Sequence, residues 1–320
     1  MKKPKAVFLD YATLGGTSLE KIKKYADLDV HELTSKSEIL SKASDAEIVI
    51  TNKVVLDEDI LAGLPKLRLI CIAATGVNNV DLAACKRLGI AVTNVKGYST
   101  QSVAQIVFSS LFSMLSKVGE FDGYVKNGLY AKSSIFTCME PQFCEVYGKT
   151  MGIVGFGEIG RSVAKIARSF GMKVVYFSTS GQNSQKGYKR VSLDELLGKS
   201  DIVSLHCSLN EKTKNLIGQK EICKMKKDAI LMNFARGGIA VEADVAFAID
   251  QGKLGGYVSD VFDGEPISPD YPLLKLSDNS KLVLTPHIAW ASVEARNRLV
   301  SAIATNIRAF FDGKNTNRVV

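Results

Sequence analysis

The stretch from Met151 to Ser178, MGIVGFGEIGRSVAKIARSFGMKVVYFS, decides the fold of this chain. An apolar strand leads into Gly155, Gly157 and Gly160, which are spaced as G-x-G-x-x-G. An amphipathic helix is predicted over 159–170, and a second apolar strand follows it. Glycine makes up 26 of 320 residues, so the spacing alone is weak evidence. The complete strand–loop–helix–strand order predicts a βαβ unit that binds a dinucleotide, and the alternative is a glycine-rich loop without a ligand.

Each of the three glycines has a physical task in such a unit. Gly155 permits the tight turn, and Gly157 lets the backbone approach a pyrophosphate because no Cβ stands in the way. Gly160 lets the helix pack closely on the strand. The free N–H groups at the start of the helix, together with its dipole, then favour bound phosphates.

The second strand of this unit ends in hydroxyl side chains, Ser178, Thr179 and Ser180, without a carboxylate. A carboxylate near this position commonly bonds the ribose 2′-hydroxyl of NAD and repels the 2′-phosphate of NADP. Three basic residues follow in a loop whose path the sequence does not define: Lys186, Lys189 and Arg190. We expect NAD(H) or NADP(H) as cofactor, with weak discrimination and the balance toward NAD(H).

Strands rich in Val and Ile alternate with amphipathic helices along the whole chain. The predicted strands are 6–9, 28–30, 47–50, 69–72 and 90–92, then 151–155, 173–177, 201–205, 229–232, 255–259 and 282–284. This order is typical of the α/β class, with parallel sheets covered on both faces. We predict two doubly wound parallel-sheet domains. A Rossmann dinucleotide-binding domain, 99–290, is inserted in a discontinuous, flavodoxin-like substrate domain, 1–98 plus 291–320.

Two long helices are predicted at the domain junctions. Residues 99–128 show helical spacing of apolar side chains, which fits either a spine or oligomer contact, or a core helix. Residues 292–311 form the last helix, which we expect to cross back and pack on the first domain. The active site would then lie in the cleft between the domains.

Composition indicates a soluble globular protein. Hydrophobic residues make up 46% and charged residues 23%, and no apolar run reaches a membrane span. The net charge is +8, but the lysines are scattered, so a solvated surface is favoured over nucleic-acid binding. The six cysteines form no C-x-x-C pair, and we expect reduced thiols and no metal site. The N-terminus is no signal peptide, so the expected location is the cytoplasm.

Only three histidines are available as a general base. His31 is interpreted as incidental, and His206 either lines the cofactor site or is a packing residue. His287 follows the final predicted strand, at the carboxyl edge where open α/β sheets bind ligands. The alternative interpretation of His287 is a histidine packed in the core.

Other strand ends supply an arginine and carboxylates at the same edge. Arg236 comes directly after an apolar strand, and its planar guanidinium suits a carboxylate. Asp260, Asp263 and Glu265 follow another strand. An arginine, a carboxylate and a histidine together fit the chemistry of a 2-hydroxy or 2-keto acid.

The whole chain resembles the D-isomer-specific 2-hydroxyacid dehydrogenases. The motifs that carry the resemblance are ATGVNNVDL, GFGEIGRSVA, NFARGG, DVFDGEP and PHIAWASVEAR. Three stretches, ATGVNNVDL, GYSTQSVAQ and HIAWASVEAR, are most similar to the glycerate dehydrogenase and hydroxypyruvate reductase branch. The reaction implied is hydride transfer between NAD(P)(H) and a small D-2-hydroxy acid, and the other acids in question are glyoxylate, D-lactate and 3-phosphoglycerate.

The resemblance implies roles for individual residues. Arg236 would clamp the substrate carboxylate and polarise the C2 oxygen, His287 would be the acid/base, and Glu265 would pair with it. Asp260 would lie near the nicotinamide. Substrate contacts are also implied for the loop of Ala74, Thr75, Gly76 and Val77, and Asn52 and Lys53 are further candidates that would face the cleft. The implied cofactor residues are Gly155, Phe156, Gly157, Glu158, Ile159, Gly160, Ser178, Thr179, His206, Cys207, Ser208, Thr213, Phe234, Ala235, Asp260 and Ala289.

The resemblance also implies a homodimer, formed through the 100–127 region. No nucleic acid and no membrane are expected as partners. The alternative that is not an enzyme is a nucleotide-sensing scaffold on the same fold. Such scaffolds retain the counterparts of Arg236, Glu265 and His287, so these three side chains do not exclude it.

Overall fold

The computed structural model describes residues 3–320, which divide into two compact units. One unit is the chain up to Ser99 together with Trp290–Val320, and the other is Thr100–Ala289. Each unit is an α/β unit with a parallel sheet, so the predicted fold class is confirmed. The assignment of the substrate to one unit and of the cofactor to the other stays a prediction.

The first unit contains a five-stranded sheet. Its strands are β1 (Lys5–Phe8), β2 (Asp27–Val30), β3 (Ile48–Thr51), β4 (Leu69–Ile72) and β5 (Ala91–Thr93), and its helices are α1 (Glu20–Lys23), α2 (Ile39–Ala43), α3 (Glu58–Ala62) and α4 (Leu82–Leu88). All strands are parallel in the order β2-β1-β3-β4-β5, which is the flavodoxin-like order. Every residue of β3 and β4 is buried, because the central strands of a parallel sheet are covered on both faces.

The second unit contains a seven-stranded sheet. Its helices are α5 (Thr100–Ser116), α6 (Val118–Lys126), α7 (Glu158–Ser169), α8 (Leu193–Lys199), α9 (Gln219–Ile222) and α10 (Glu242–Asp250). Its strands are β6 (Thr150–Val154), β7 (Lys173–Phe177), β8 (Lys189–Arg190), β9 (Ile202–Leu205), β10 (Ile230–Asn233), β11 (Gly256–Ser259) and β12 (Leu282–Leu284). The order is β12-β11-β10-β9-β6-β7-β8, all parallel. The strand order therefore reverses at β6, and ligands bind outside the carboxyl ends of the strands at such a point.

The sheet of the second unit has one strand more than the six that the sequence predicts. The additional strand, β8, contains only two residues, and both are exposed. A two-residue charged strand has no hydrophobic pattern, so only its pairing with β7 defines it.

The helix predicted over 99–128 is broken into α5 and α6, which meet at an angle of 61°. Lys117 lies between them with a φ of 54°, in the left-handed region that ends a helix. The backbone N–H of Cys144 donates to the carbonyl of Leu115 at 3.2 Å, which satisfies one acceptor at the end of α5. Eight residues of α5 are buried, so α5 is a core helix, whereas α6 buries none.

The last helix, α11 (Val293–Phe311), belongs to the first unit. The Ser292 hydroxyl caps it by accepting from the N–H of Ala295 at 3.2 Å. Leu299 and Ile303 lie in the same buried apolar cluster as Phe8 of β1. Within residues 3–320 no single helix is long and apolar enough to cross a membrane, although the bent pair of α5 and α6 has the necessary length and composition.

Candidate active site

The glycine loop joins β6 to α7, and its geometry explains the three glycines. Gly155 has a φ of 91°, and a Cβ there would lie 2.6 Å from the backbone nitrogen of Cys207. A Cβ on Gly160 would lie 2.3 Å from the carbonyl oxygen of Gly155, so the helix could not approach the loop. A Cβ on Gly157 would meet no atom of residues 3–320 within 4 Å, so this position is open. The open space at the N-terminus of α7 fits the pyrophosphate of a dinucleotide.

A cavity of about 650 Å³ lies beside the glycine loop in the second unit. The predicted cofactor residues that line it are Gly155, Phe156, Gly157, Thr179, His206, Cys207 and Ser208. Five more residues line the cavity: Ser180, which the sequence places among the hydroxyls at the strand end, and Asn183, Asn210, Glu211 and Lys212, which no sequence pattern singles out. These five lie in loops that follow β7 and β9, and hydrophobic periodicity carries no signal for loop residues.

The other predicted cofactor residues lie outside this lining. Ile159, Glu158 and Gly160 belong to the first turn of α7, and Phe234 and Ala235 are buried after β10. Thr213 is buried, and its hydroxyl donates to the carbonyl of Ser208 at 2.7 Å and accepts from the N–H of Asn210 at 2.8 Å. We therefore interpret Thr213 as the residue that holds the loop after β9. Contacts of this group with a cofactor stay predictions.

Ser178 is buried rather than presented to the cavity. Only 3% of its surface is exposed, and its hydroxyl accepts from the N–H of Asn183 at 3.3 Å. The residues that line the cavity at this strand end are instead Thr179, Ser180 and Asn183. The guanidinium of Arg190 on β8 donates to the carbonyl of Gly181 at 2.8 Å, so this base folds back onto the same loop.

His206 follows β9 and lines the cavity, and it is also constrained by packing. Its Nε2 pairs with the Ser204 hydroxyl at 2.8 Å, and its Nδ1 is buried without a hydrogen-bond partner in residues 3–320. Burial lowers the pKa of His206 to about 3, because a charged imidazole would lose its hydration there. His206 is therefore neutral at ordinary pH.

Arg236 begins the turn between β10 and α10, and its side chain is exposed. Its guanidinium donates to the carbonyl of Ala235 at 2.7 Å, and the Asn233 side chain donates to the carbonyl of Arg236 at 2.9 Å. No ion pair involves Arg236 within residues 3–320. Hydrogen bonds hold the backbone of Arg236 in place, and its exposed guanidinium pairs with no carboxylate among residues 3–320. Such a guanidinium is able to bind an anionic ligand.

His287 and Glu265 form a direct pair, joining the segments that follow β12 and β11. The distance from His287 Nδ1 to Glu265 Oε2 is 2.6 Å. The other carboxylate oxygen, Oε1, accepts from the N–H of Phe262 at 3.0 Å. The imidazole and the carboxylate are 22% and 30% exposed, so the pair remains accessible to a ligand. A carboxylate in this position orients the ring.

Asp260 holds the turn that presents His287. Its Oδ1 accepts from the Thr285 hydroxyl at 2.7 Å and from the N–H of Ile288 at 2.8 Å, and its Oδ2 accepts from the N–H of Ala289 at 2.9 Å. Burial raises the pKa of Asp260, and these hydrogen bonds oppose the rise. His287 itself has a φ of 53°, a backbone conformation that is unfavourable for a residue other than glycine. Its turn therefore depends on the hydrogen bonds that Asp260 supplies.

The predicted substrate residues Ala74 to Val77, with Asn52 and Lys53, belong to the first unit. The Thr75 hydroxyl donates to the carbonyl of Val95 at 2.8 Å, which ties this loop to the end of β5. The backbone N–H groups of Asn52 and Lys53 both donate to the carboxylate of Asp10, at 2.9 and 2.6 Å. Contacts of either loop with a substrate stay predictions.

Comparisons with known proteins agree with this geometry. The family model for the NAD binding domain of D-isomer specific 2-hydroxyacid dehydrogenases matches residues 108–289. A glycerate dehydrogenase from Methylorubrum extorquens is 37% identical, over 98% of this chain and 98% of that protein. A D-lactate dehydrogenase from Aquifex aeolicus, complexed with NAD and lactic acid, is 26% identical with a TM-score of 0.83, covering 99% of each chain. An acyclic imino acid reductase in complex with NADPH and D-Arg is 28% identical with a TM-score of 0.85, covering 99% of this chain and 100% of that one.

The matched segment contains the glycine loop and all three of Arg236, Glu265 and His287. The similarity to the glycerate dehydrogenase extends over both units. This chain therefore belongs to the D-isomer-specific 2-hydroxyacid dehydrogenase family.

Proposed function

We propose that the protein interconverts hydroxypyruvate and D-glycerate as an NAD(P)-dependent dehydrogenase. The observation that carries the proposal is the pair of His287 and Glu265 at 2.6 Å, on the same sheet edge as Arg236. The similarity to a glycerate dehydrogenase over nearly the whole chain supports this choice of acid.

The chemistry needs an anion clamp, a proton donor and a hydride. The nicotinamide, when bound, supplies the hydride to C2 of the keto acid. Arg236 binds the substrate carboxylate and stabilises the negative charge that develops on the C2 oxygen. Protonated His287 donates its proton to that oxygen, and Glu265 keeps the imidazole oriented and stabilises its charged form. In the oxidation, the same ring accepts the proton.

A keto-acid panel tests this function. We expect purified protein to oxidise NADH or NADPH with hydroxypyruvate, and to use glyoxylate and D-lactate or its keto acid less efficiently, as judged by kcat/KM. The matched control is His287→Asn, which should lose the activity while still binding the cofactor. Cofactor binding without turnover of any acid in the panel would support the nucleotide-sensing alternative instead.

For the cofactor, we propose that the chain accepts NADP(H) as well as NAD(H), with Arg190 as the group that meets a 2′-phosphate. Ser178 stands where a carboxylate would repel this phosphate. The guanidinium of Arg190 already contacts the loop that carries Thr179 and Ser180, through the carbonyl of Gly181. A charge-assisted hydrogen bond contributes about 1.5–3 kcal/mol, so Arg190→Ala should raise the KM for NADPH at least about tenfold. The KM for NADH should stay within about twofold. Equal effects on both cofactors would reject this role for Arg190.

We also propose a homodimer, but through residues 118–147 rather than through α5, whose apolar face is buried within its own unit. Exposed apolar side chains are concentrated there: Val118, Val125, Leu129, Ile135, Phe136, Met139, Phe143 and Tyr147. Phe136 is 90% exposed, which is costly unless another surface covers it. Light scattering should give about twice the chain's 34.7 kDa, and a double Phe136→Asp, Phe143→Asp variant should give the monomer mass. A monomeric wild type would overturn the dimer.

A further inference from the structure

A buried polar cluster lies beside the catalytic segments but outside the three side chains of the proposed mechanism. Its members are Glu242, the first residue of α10, and Tyr271, which are 6% and 8% exposed. The Tyr271 hydroxyl donates to Glu242 Oε2. Burial raises the pKa of Glu242, because a carboxyl group that is only 6% exposed is poorly solvated.

Both side chains bind one backbone group, the N–H of Asp263. Its nitrogen lies 3.2 Å from Glu242 Oε2 and 3.0 Å from Tyr271 Oη. The preceding residue, Phe262, also packs edge-to-face on the Tyr271 ring, with a centroid distance of 5.9 Å. The segment 262–263 is therefore held by two hydrogen bonds and a ring contact.

The same segment supports Glu265. The N–H of Phe262 donates to Glu265 Oε1 at 3.0 Å, while Oε2 of that carboxylate contacts His287 Nδ1 at 2.6 Å. A continuous chain of contacts thus leads from the buried cluster to the imidazole. A shift of the 262–263 backbone would move the carboxylate that orients His287.

The turn that carries Arg236 packs on the same segment. A Cβ added to Gly237 would lie 1.9 Å from the carbonyl oxygen of Phe262, so the two backbones are in direct contact. Glu242 comes from the helix that this turn leads into. Its side chain therefore connects the segment after β10 with the segment after β11.

We propose that Glu242 and Tyr271 are positioning residues, which fix the 262–263 backbone so that Glu265 meets His287. The proposal rests on the proposed function, in which His287 and Glu265 transfer and stabilise the proton. Neither Glu242 nor Tyr271 touches the reacting atoms in this role. Their contribution to the rate passes through Glu265.

A double-mutant cycle tests the proposal. Tyr271→Phe removes only the hydroxyl, and the loss of a buried hydrogen bond should lower kcat for hydroxypyruvate reduction by about fivefold to tenfold. The KM for hydroxypyruvate should change less than about twofold. In the Glu265→Gln background, Tyr271→Phe should have almost no further effect, because its target is already removed. Equal losses in both backgrounds, or no loss in the wild type, would overturn the proposal.

Three further variants separate positioning from general stability. Glu242→Gln keeps an acceptor oxygen for Asp263 and Tyr271, so it should retain kcat within about twofold, whereas Glu242→Ala should not. Tyr11→Phe is the matched control, because it removes a tyrosine hydroxyl that donates to the carbonyl of Thr17 at 2.8 Å in the first unit. Its kcat should equal that of the wild type. A loss of kcat in Tyr11→Phe as large as in Tyr271→Phe would overturn the positioning role.

A spectroscopic readout keeps the test independent of turnover. The ring N–H of His287 that faces Glu265 should give a downfield proton resonance, identified by its loss in Glu265→Gln. Tyr271→Phe should broaden or shift this resonance, and Tyr11→Phe should leave it unchanged. If the wild type turns over no acid, the proposed function fails, while this resonance still decides the positioning role. An unchanged resonance in Tyr271→Phe would reject it.

Discussion

Substitution of His206 should change how the stability of the second unit depends on pH. Burial lowers the pKa of His206 from its ordinary value of 6.5 to about 3 in the folded chain. In the unfolded chain the ring is hydrated and takes up a proton near its ordinary pKa. The unfolded state therefore binds more protons than the folded state between these two values. The contribution of neutral His206 to the free energy of unfolding is therefore fully present above pH 6.5, and it is lost as the pH falls toward 3.

The size of the effect follows from the shift. Each pH unit within this window changes the free energy of unfolding by about 1.4 kcal/mol. Lowering the pH from 7 to 5 should therefore remove about 2 kcal/mol from the free energy of unfolding. For a unit of this size, that loss corresponds to a decrease in Tm of roughly 4–8 °C.

The assay compares the wild type with His206→Gln. Glutamine does not titrate, and its side-chain amide can replace the bond to the Ser204 hydroxyl. Urea unfolding at pH 7 and pH 5, without cofactor, gives the pH-dependent loss for each protein, and carboxylates common to both cancel in the difference. We expect the variant to lose about 2 kcal/mol less than the wild type. Equal losses would refute the reasoning and would mean that the ring is protonated without cost in the folded chain.

The remaining predictions concern the catalytic pair and the glycine loop. Glu265→Gln should lower kcat for keto-acid reduction by about tenfold, because an amide in place of the carboxylate removes the charge-assisted hydrogen bond to His287 Nδ1. An unchanged kcat would reject the role of Glu265. Arg236→Lys should reduce kcat/KM by about 10²-fold or more, since a lysine cannot form the bidentate contact, and steady-state kinetics with hydroxypyruvate measures it. Gly157→Ala should fold normally and weaken cofactor binding in a calorimetric titration, whereas Gly155→Ala should lower Tm, because a Cβ there would lie 2.6 Å from a backbone nitrogen. Equal Tm values for the two glycine variants would contradict this distinction.

Several features of the site can be predicted without coordinates because they depend on local sequence. The glycine spacing within a βαβ pattern predicts the loop before α7, and the structure gives each glycine a steric reason. Arg236, Glu265 and His287 each follow an apolar strand, and the ends of parallel strands meet at one edge. The strand-end positions leave Asp260, Asp263 and Glu265 open as partners of His287, and only the family resemblance implies Glu265, which the structure places 2.6 Å from the ring.

Other features depend on contacts between residues far apart in the chain. The break at Lys117 interrupts a stretch whose helical periodicity continues through it. The family resemblance implies only that Asp260 lies near the nicotinamide, and the structure shows its carboxylate bonded to the turn of residues 285–289. Glu242 and Tyr271 give no sequence signal, because a single buried carboxyl and a single phenol have no periodic pattern.

Local sequence is sufficient for the α/β class, the glycine loop and the order in which Arg236, Glu265 and His287, the proposed catalytic side chains, follow their strands. These depend on periodicity and on steric rules that act within a few residues. Tertiary contacts were needed to show that Ser178 is buried and that Arg190 reaches the loop beyond it, because the pairing of β8 with β7 brings that base beside the strand end. Parallel pairing joins distant segments through backbone hydrogen bonds, and the local order of side chains does not predict which segments will pair.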